Sequence, residues 1–142
     1  MTENLPIEER YKNINRGYRK LDVWNEAVGL FVLVRKKTRS LKSVNYKILE
    51  QIESSAFSVS SNIAEGYSRR HLKENIQFNT IALASLSENY SQIYCLLRSE
   101  DIDLTWFNEY DKMHSHLETK LVNYNKTQIQ KLNSGADWDS NY

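Results

Sequence analysis

Apolar residues recur every three or four positions over four long stretches of this chain, the period of amphipathic helices. The first stretch runs from about Lys20 to Leu41, with Leu21, Trp24, Val28, Phe31, Val34 and Leu41 as its stripe. A second set in the same stretch, Val23, Ala27, Leu30, Val32 and Leu33, makes that helix apolar nearly all round. One side of a bundle helix stays wet in a monomer. The surplus therefore predicts a subunit interface, with Val23, Leu30 and Leu33 as its candidate residues. The second helix is expected from Ser43 or Asn45 to Tyr67 or Arg69, through Ile48, Ile52, Ala56, Val59, Ile63 and Tyr67. The third, from about Leu72 to Ser99, carries Leu72, Ile76, Leu83, Leu86, Tyr90, Ile93 and Leu97. A further stripe there, Phe78, Ile81, Ala82, Ser85 and Asn89, is free to face another helix or subunit, and Asn79 interrupts the seam and needs a partner if buried. The fourth helix runs from about Leu104 to Leu132 through Phe107, Tyr110, His114, Leu117, Leu121, Tyr124 and Ile129, with Asp103 as its N-cap.

This pattern predicts an all-α fold: an antiparallel up-down-up-down four-helix bundle over residues 18–132, flanked by polar tails at 1–17 and 133–142. The N-terminal tail holds one short turn around Ile7 to Tyr11. The C-terminal tail carries Trp138 and Tyr142, which are able to dock on a surface. One proline and four glycines are too few for many tight-turned strands, and 142 residues suffice for one core.

Charge narrows the functional classes. Nineteen basic residues face eighteen acidic ones, for a net charge of +1, so no strong overall field draws nucleic acid or membrane. The dense basic run is Arg35, Lys36, Lys37 and Arg39 at the end of the first helix, where cations suit the helix dipole; Arg69, Arg70 and Lys73 form a second cluster. These seven are the candidate nucleic-acid contacts, expected to give weak, sequence-blind binding. No basic-then-apolar leader and no long apolar run are present, so cytoplasm is the default location and no membrane partner is expected. The single Cys95 fits a reducing compartment and reads as a small core residue.

The most unusual segment is Ser58-Val-Ser-Ser-Asn-Ile-Ala-Glu-Gly66, which places polar groups inside an apolar helical register. Buried polar groups must be hydrogen-bonded, and small residues let a neighbouring helix come close. The reading is a structural polar network of Ser58, Ser61, Asn62, Glu65 and Glu88 across the contact of the second and third helices. Gly66 would serve a helix end or kink. A di-iron site of the bundle type needs two Glu-x-x-His elements. Here only Asp111-Lys-Met-His114 approximates one, and His114 and His116 point to different sides. Neither a metal nor any other cofactor is expected. Glu65 and Glu88 have no nucleophile or oxyanion donor nearby in the sequence pattern, so no catalytic residue is assigned and the chain reads as no enzyme.

The same segment resembles a family signature. Gln51-Ile52, Ala56 and Ser58 through Arg69, with Leu21-Asp-Val-Trp-Asn-Glu-Ala27 upstream and Ile81-Ala-Leu-Ala-Ser-Leu-Ser-Glu88 downstream, are similar to bacterial four-helix-bundle proteins encoded by intervening sequences in large-subunit ribosomal RNA genes. The resemblance covers roughly residues 18 to 130. It implies a homo-oligomer, commonly a pentamer, without established enzymatic activity. A related branch, the accessory variability proteins of diversity-generating retroelements, implies nucleic acid and a reverse transcriptase as possible partners. Four positions depart, in two places: Glu53 and Ser54 stand where the family usually has two arginines, and Ala84 and Tyr90 replace its usual glycine and acidic residue. The expected function is thus a homo-oligomeric scaffold or interaction protein. Its alternative is a weakly nucleic-acid-binding ring that serves a retroelement.

Overall fold

The computed structural model describes residues 4–11, 14, 16–136 and 138. Four long helices form the body: α2 (Asp22–Thr38), α3 (Tyr46–Ser68), α4 (Leu72–Arg98) and α5 (Leu104–Asn133). They are preceded by a single turn, α1 (Ile7–Arg10), and by a 3-10 turn at Gly17–Lys20. The fold is all-α, as the periodicity predicts. Each helix packs on the next, and α2 packs on α5 to close the square. Tight connections after α3 and α4 make the neighbours antiparallel.

Local chemistry sets the ends. Asn45 caps α3 by accepting the Lys47 amide at 2.8 Å, and Asp103 caps α5 by accepting the Trp106 amide at 2.8 Å. After α4, Asp101 N–H reaches Leu96 O at 2.9 Å and Glu100 N–H reaches Leu97 O at 3.1 Å, with Glu100 in the left-handed region at φ 63°. That pair closes the helix as a Schellman turn. The same device ends α5: Gly135 has φ 77°, and Ala136 N–H bonds Lys131 O at 3.0 Å. The chain is thereby turned back toward the bundle.

The core is a continuous column of Val23, Ala27, Leu30 and Val34 from α2, Ile52, Ala56, Val59 and Ile63 from α3, Ala82, Leu86 and Ile93 from α4, and Phe107, Tyr110, Leu117 and Leu121 from α5. Two helices are rotated relative to the expected stripes. In α2 the buried line is Val23–Ala27–Leu30–Val34, whereas Trp24, Val28 and Phe31 are half-buried. In α4 the buried line includes Asn75, Asn79, Ala82, Ser85, Leu86, Asn89, Ile93 and Leu96, whereas Ile76, Leu83, Tyr90 and Leu97 are half-buried. Gly66 is no kink. It lies inside α3, and its missing side chain lets α4 approach: a Cβ there would sit 2.6 Å from Phe78 Cβ. Cys95 is exposed, a correction to its expected core place. Trp138 docks against Tyr67, while Tyr142 lies outside the described residues. Among the described residues, no helix is long and apolar enough to cross a membrane.

Candidate functional site

The signature segment lies on α3 along its seam with α4. Ser58 Oγ and Ser85 Oγ meet at 3.0 Å across that seam, and Asn62 Nδ2 donates back to Ser58 O and Oγ at 2.8 and 2.9 Å. The expected network therefore contains Ser58 and Asn62. It does not contain the other three residues. Ser61 is exposed and bonds the Phe57 carbonyl at 3.1 Å. Glu65, with its side chain 52% exposed, pairs with Arg69 one turn on. Glu88 is exposed and accepts from Gln92 Nε2 at 3.3 Å, within its own helix. The physical reason is local supply. Asn62 finds both acceptors one turn back, so no carboxylate is drawn across the seam, and ionised carboxylates remain in water.

The polar network that does span the bundle is deeper. Asn89 Nδ2 donates to Ile52 O at 2.9 Å and to Ser55 Oγ at 3.0 Å, and Ser55 Oγ donates to Gln92 Oε1 at 2.7 Å. Tyr110 donates its hydroxyl to Asn89 Oδ1, so one asparagine joins α3, α4 and α5. Burial pushes the Tyr110 hydroxyl far above the ordinary phenol range. Toward the opposite end, Asn79 Nδ2 donates to Asn75 Oδ1 at 3.0 Å and Asn125 Oδ1 at 3.1 Å, and Gln128 Nε2 donates to Asn75 Oδ1 at 3.0 Å. Asn79 Nδ2 thus has two acceptors, whereas Asn79 Oδ1 is buried with no hydrogen-bond partner among the described residues. Asn75, Asn125 and Gln128 gave no signal in the periodicity, because a polar residue in an apolar register is visible only where it breaks a recognised stripe. His114 Nε2 is engaged with Leu86 O at 2.9 Å. Among the described residues, no group of three His, Cys, Asp or Glu side chains converges as a metal would require. These networks restrict which helix faces can meet and which register they take.

The candidate cations fall into two groups at opposite ends of α3, a helix of 23 residues and hence roughly 35 Å long. At one end Arg35 Nη1 binds Glu53 Oε1 at 2.9 Å, and Lys37 Nζ binds Glu109 Oε2 at 2.8 Å while resting over the Trp106 ring. Lys36 and Arg39 reach into solvent from the same turn region. At the other end Arg69 is shared between Glu65 at 3.1 Å and Glu74 at 3.6 Å, with Arg70 and Lys73 beside it on the turn into α4. The fold does not bring the seven residues into one patch.

Residues 19–123 match the family described as 23S rRNA-intervening sequence protein, a span that takes in α2, α3, α4 and most of α5. The chain belongs to that family. No curated protein matches the chain.

Within this intervening-sequence protein, the departure at Glu53 has a visible consequence. Its carboxylate accepts Arg35 at 2.9 and 3.1 Å and the Thr38 hydroxyl at 2.7 Å, so an acidic residue clamps the end of α2 to α3. The clamp neutralises one cation of the basic run. Tyr90, at the other departure, donates to Asp111 Oδ1 at 3.0 Å and packs on His114. The candidate interface residues are corrected too. Val23 and Leu30 are 5% and 1% exposed in the core of the single chain, and Leu33 is half-buried against that core. Val23 and Leu30 are therefore no free surface, while Leu33 keeps part of its side chain exposed. The exposed apolar seam is instead the outer α2–α3 face. There Val32 is 41% and Phe57 57% exposed, Phe31 packs its ring 5.3 Å from Phe57, and Val28 lies one turn before Val32.

Proposed function

We propose that this intervening-sequence protein acts as a non-enzymatic scaffold or interaction protein that assembles with copies of itself, in rings of five by its family resemblance. The observation that carries this reading is the outer α2–α3 seam. Val28, Phe31, Val32 and Phe57 make an apolar strip, half-buried at Val28 and Phe31 and exposed at Val32 and Phe57, with no covering element among the described residues. Large exposed apolar strips mark association surfaces, and burying two such aromatic and aliphatic side chains contributes several kcal/mol per contact, about 1.5–3 each. Light scattering at micromolar concentration tests it, with a pentamer mass expected. A monomer mass defeats the reading. Val32→Glu with Phe57→Glu should dissociate the ring while helicity by circular dichroism is kept.

The alternative is a nucleic-acid-binding ring that serves a retroelement or its reverse transcriptase. Its support is the repetition of Lys36, Arg39 and Lys73 that a ring would supply. Against it stand the ion pairs of Arg35, Lys37 and Arg69. Phosphate affinity falls steeply with salt, so a dissociation constant of about micromolar or weaker is expected near physiological salt. A gel-shift titration from low to physiological salt decides it. Tight binding that Lys36→Glu with Arg39→Glu abolishes would raise this reading above the scaffold.

A further inference from the structure

We propose that the end of the bundle where α3 turns into α4 is a recognition site for an acidic peptide segment bearing an aromatic side chain, and that the chain's own C-terminal tail fills it. The site is built from two adjoining cavities of about 150 and 320 Å³ that share Leu72 and Trp138 as a common wall. Trp138 inserts between them and meets Tyr67 edge-on, with ring centroids 5.0 Å apart and planes at 77°. The smaller cavity is otherwise lined by Leu21, Tyr67 and Tyr124, with the Gln128 amide and Lys131 as its polar groups. The larger is rimmed by Arg70, His71 and Lys73. Among the described residues, no carboxylate lines either cavity.

The occupant's chemistry complements this lining. Trp138 is flanked in sequence by Asp137 and Asp139, so the docking element reads acid–indole–acid. The amino end of α4 opens at the same place. Its N-cap His71 makes no side-chain bond to the first amides, and the acidic residue of the first turn, Glu74, is drawn to Arg69 at 3.6 Å, so the positive end of the helix dipole adds to the cationic rim. The turn at Gly135, with φ 77°, reverses the chain after α5 and supplies a short tether for the tail. A short tether gives the tail a millimolar effective concentration, so a site of modest intrinsic affinity stays filled in cis and opens to a partner that presents the same acid–aromatic pattern. This site is separate from the outer α2–α3 seam, so failure of either test leaves the other standing.

The test uses the full-length chain and a labelled peptide with the sequence of residues 134–142, followed by fluorescence anisotropy. Trp138→Ala should empty the site and raise affinity for the peptide at least about tenfold over the unchanged chain, because the cis competitor is lost. Adding Lys73→Glu and Lys131→Glu to that variant should reverse the gain. So should replacing the peptide's tryptophan by alanine, or both its aspartates by asparagine. Equal binding to the unchanged and Trp138→Ala chains overturns the proposal, as does binding indifferent to the aspartates. Should Trp138→Ala lose helicity, Asp137→Asn with Asp139→Asn leaves the ring in place and loosens the tail. The same gain in peptide binding is then required, and its absence overturns the proposal.

Discussion

Gly66→Ala is the sharpest test of how the signature segment works. A Cβ at this position would stand 2.6 Å from Phe78 Cβ and 3.4 Å from Asn75 O. Carbon atoms in contact prefer about 3.5–4.0 Å, so α4 must retreat by roughly 1 Å where it crosses α3. The obstacle is a Cβ fixed to the α4 backbone and not the tip of a flexible side chain. Asn75, on the same turn, is tied to Asn79 and Gln128, so a retreat also stretches the buried amide network. Overpacking of this kind costs about 1–3 kcal/mol. Replacing glycine by alanine inside a helix returns about 1 kcal/mol through propensity. Because the clash is backbone-fixed and the amide network is stretched with it, the upper half of the overpacking range applies, about 2–3 kcal/mol, and the expected net loss is about 1–2 kcal/mol, or a fall in Tm of about 3–8 °C for a domain of this size. Urea denaturation at fixed protein concentration measures it as a lower midpoint at constant slope. Gly29→Ala is the control: the nearest side-chain atom is Met113 Cε at 3.6 Å, an ordinary contact, so propensity alone should stabilise by up to about 1 kcal/mol. Combining Gly66→Ala with Phe78→Gly should show a coupling above about 1 kcal/mol, since the second change removes the obstructing atom. A Gly66→Ala protein as stable as the unchanged one, or more so, would refute the close-approach argument.

Asn89→Ala should destabilise by about 1–3 kcal/mol in urea, because it strands the Tyr110 hydroxyl in the core and removes the amide donor to Ser55 Oγ, while Ile52 O keeps the Ser55 hydroxyl; an unmoved midpoint would mean water replaces the amide. Glu65→Ala should change stability by no more than about 0.5 kcal/mol, since its carboxylate is half-exposed and its pairing with Arg69 is solvent-screened; a loss above about 1 kcal/mol would return it to the buried network. Burial also raises the Tyr124 hydroxyl to about 12, and raised values in the folded state favour the protonated phenol. Its contribution is therefore whole below pH 10 and is lost as pH rises toward 12. Urea midpoints across that window, with tyrosinate absorbance read alongside, should fall together; stability flat through pH 12 would contradict the burial.

The number, type and order of the helices were legible in the chain itself. A period of three to four residues, Asn45 and Asp103 at the caps, and scarce proline and glycine require long helices whatever they pack against. Asn79 could be seen to need a partner, and the signature segment to lie at a helix–helix contact. Which face turns inward was decided by the tertiary structure. In α2 nearly every side is apolar, so hydrophobicity alone could not choose between the Trp24–Val28–Phe31 line and the Val23–Leu30–Val34 line that is buried. In α4 the inward face carries Asn75, Asn79 and Asn89, which a hydrophobic stripe counts against burial. Those amides are tolerable inside only because Asn125, Gln128, Tyr110 and Ser55 arrive from other helices to bond them. The same dependence governs the charges: the basic run of α2 looks free along the chain, and Glu53 and Glu109 reach it only after folding. Periodicity is a property of one segment. Satisfaction of a buried polar group, or neutralisation of a cation, belongs to pairs of segments that only the folded chain brings together.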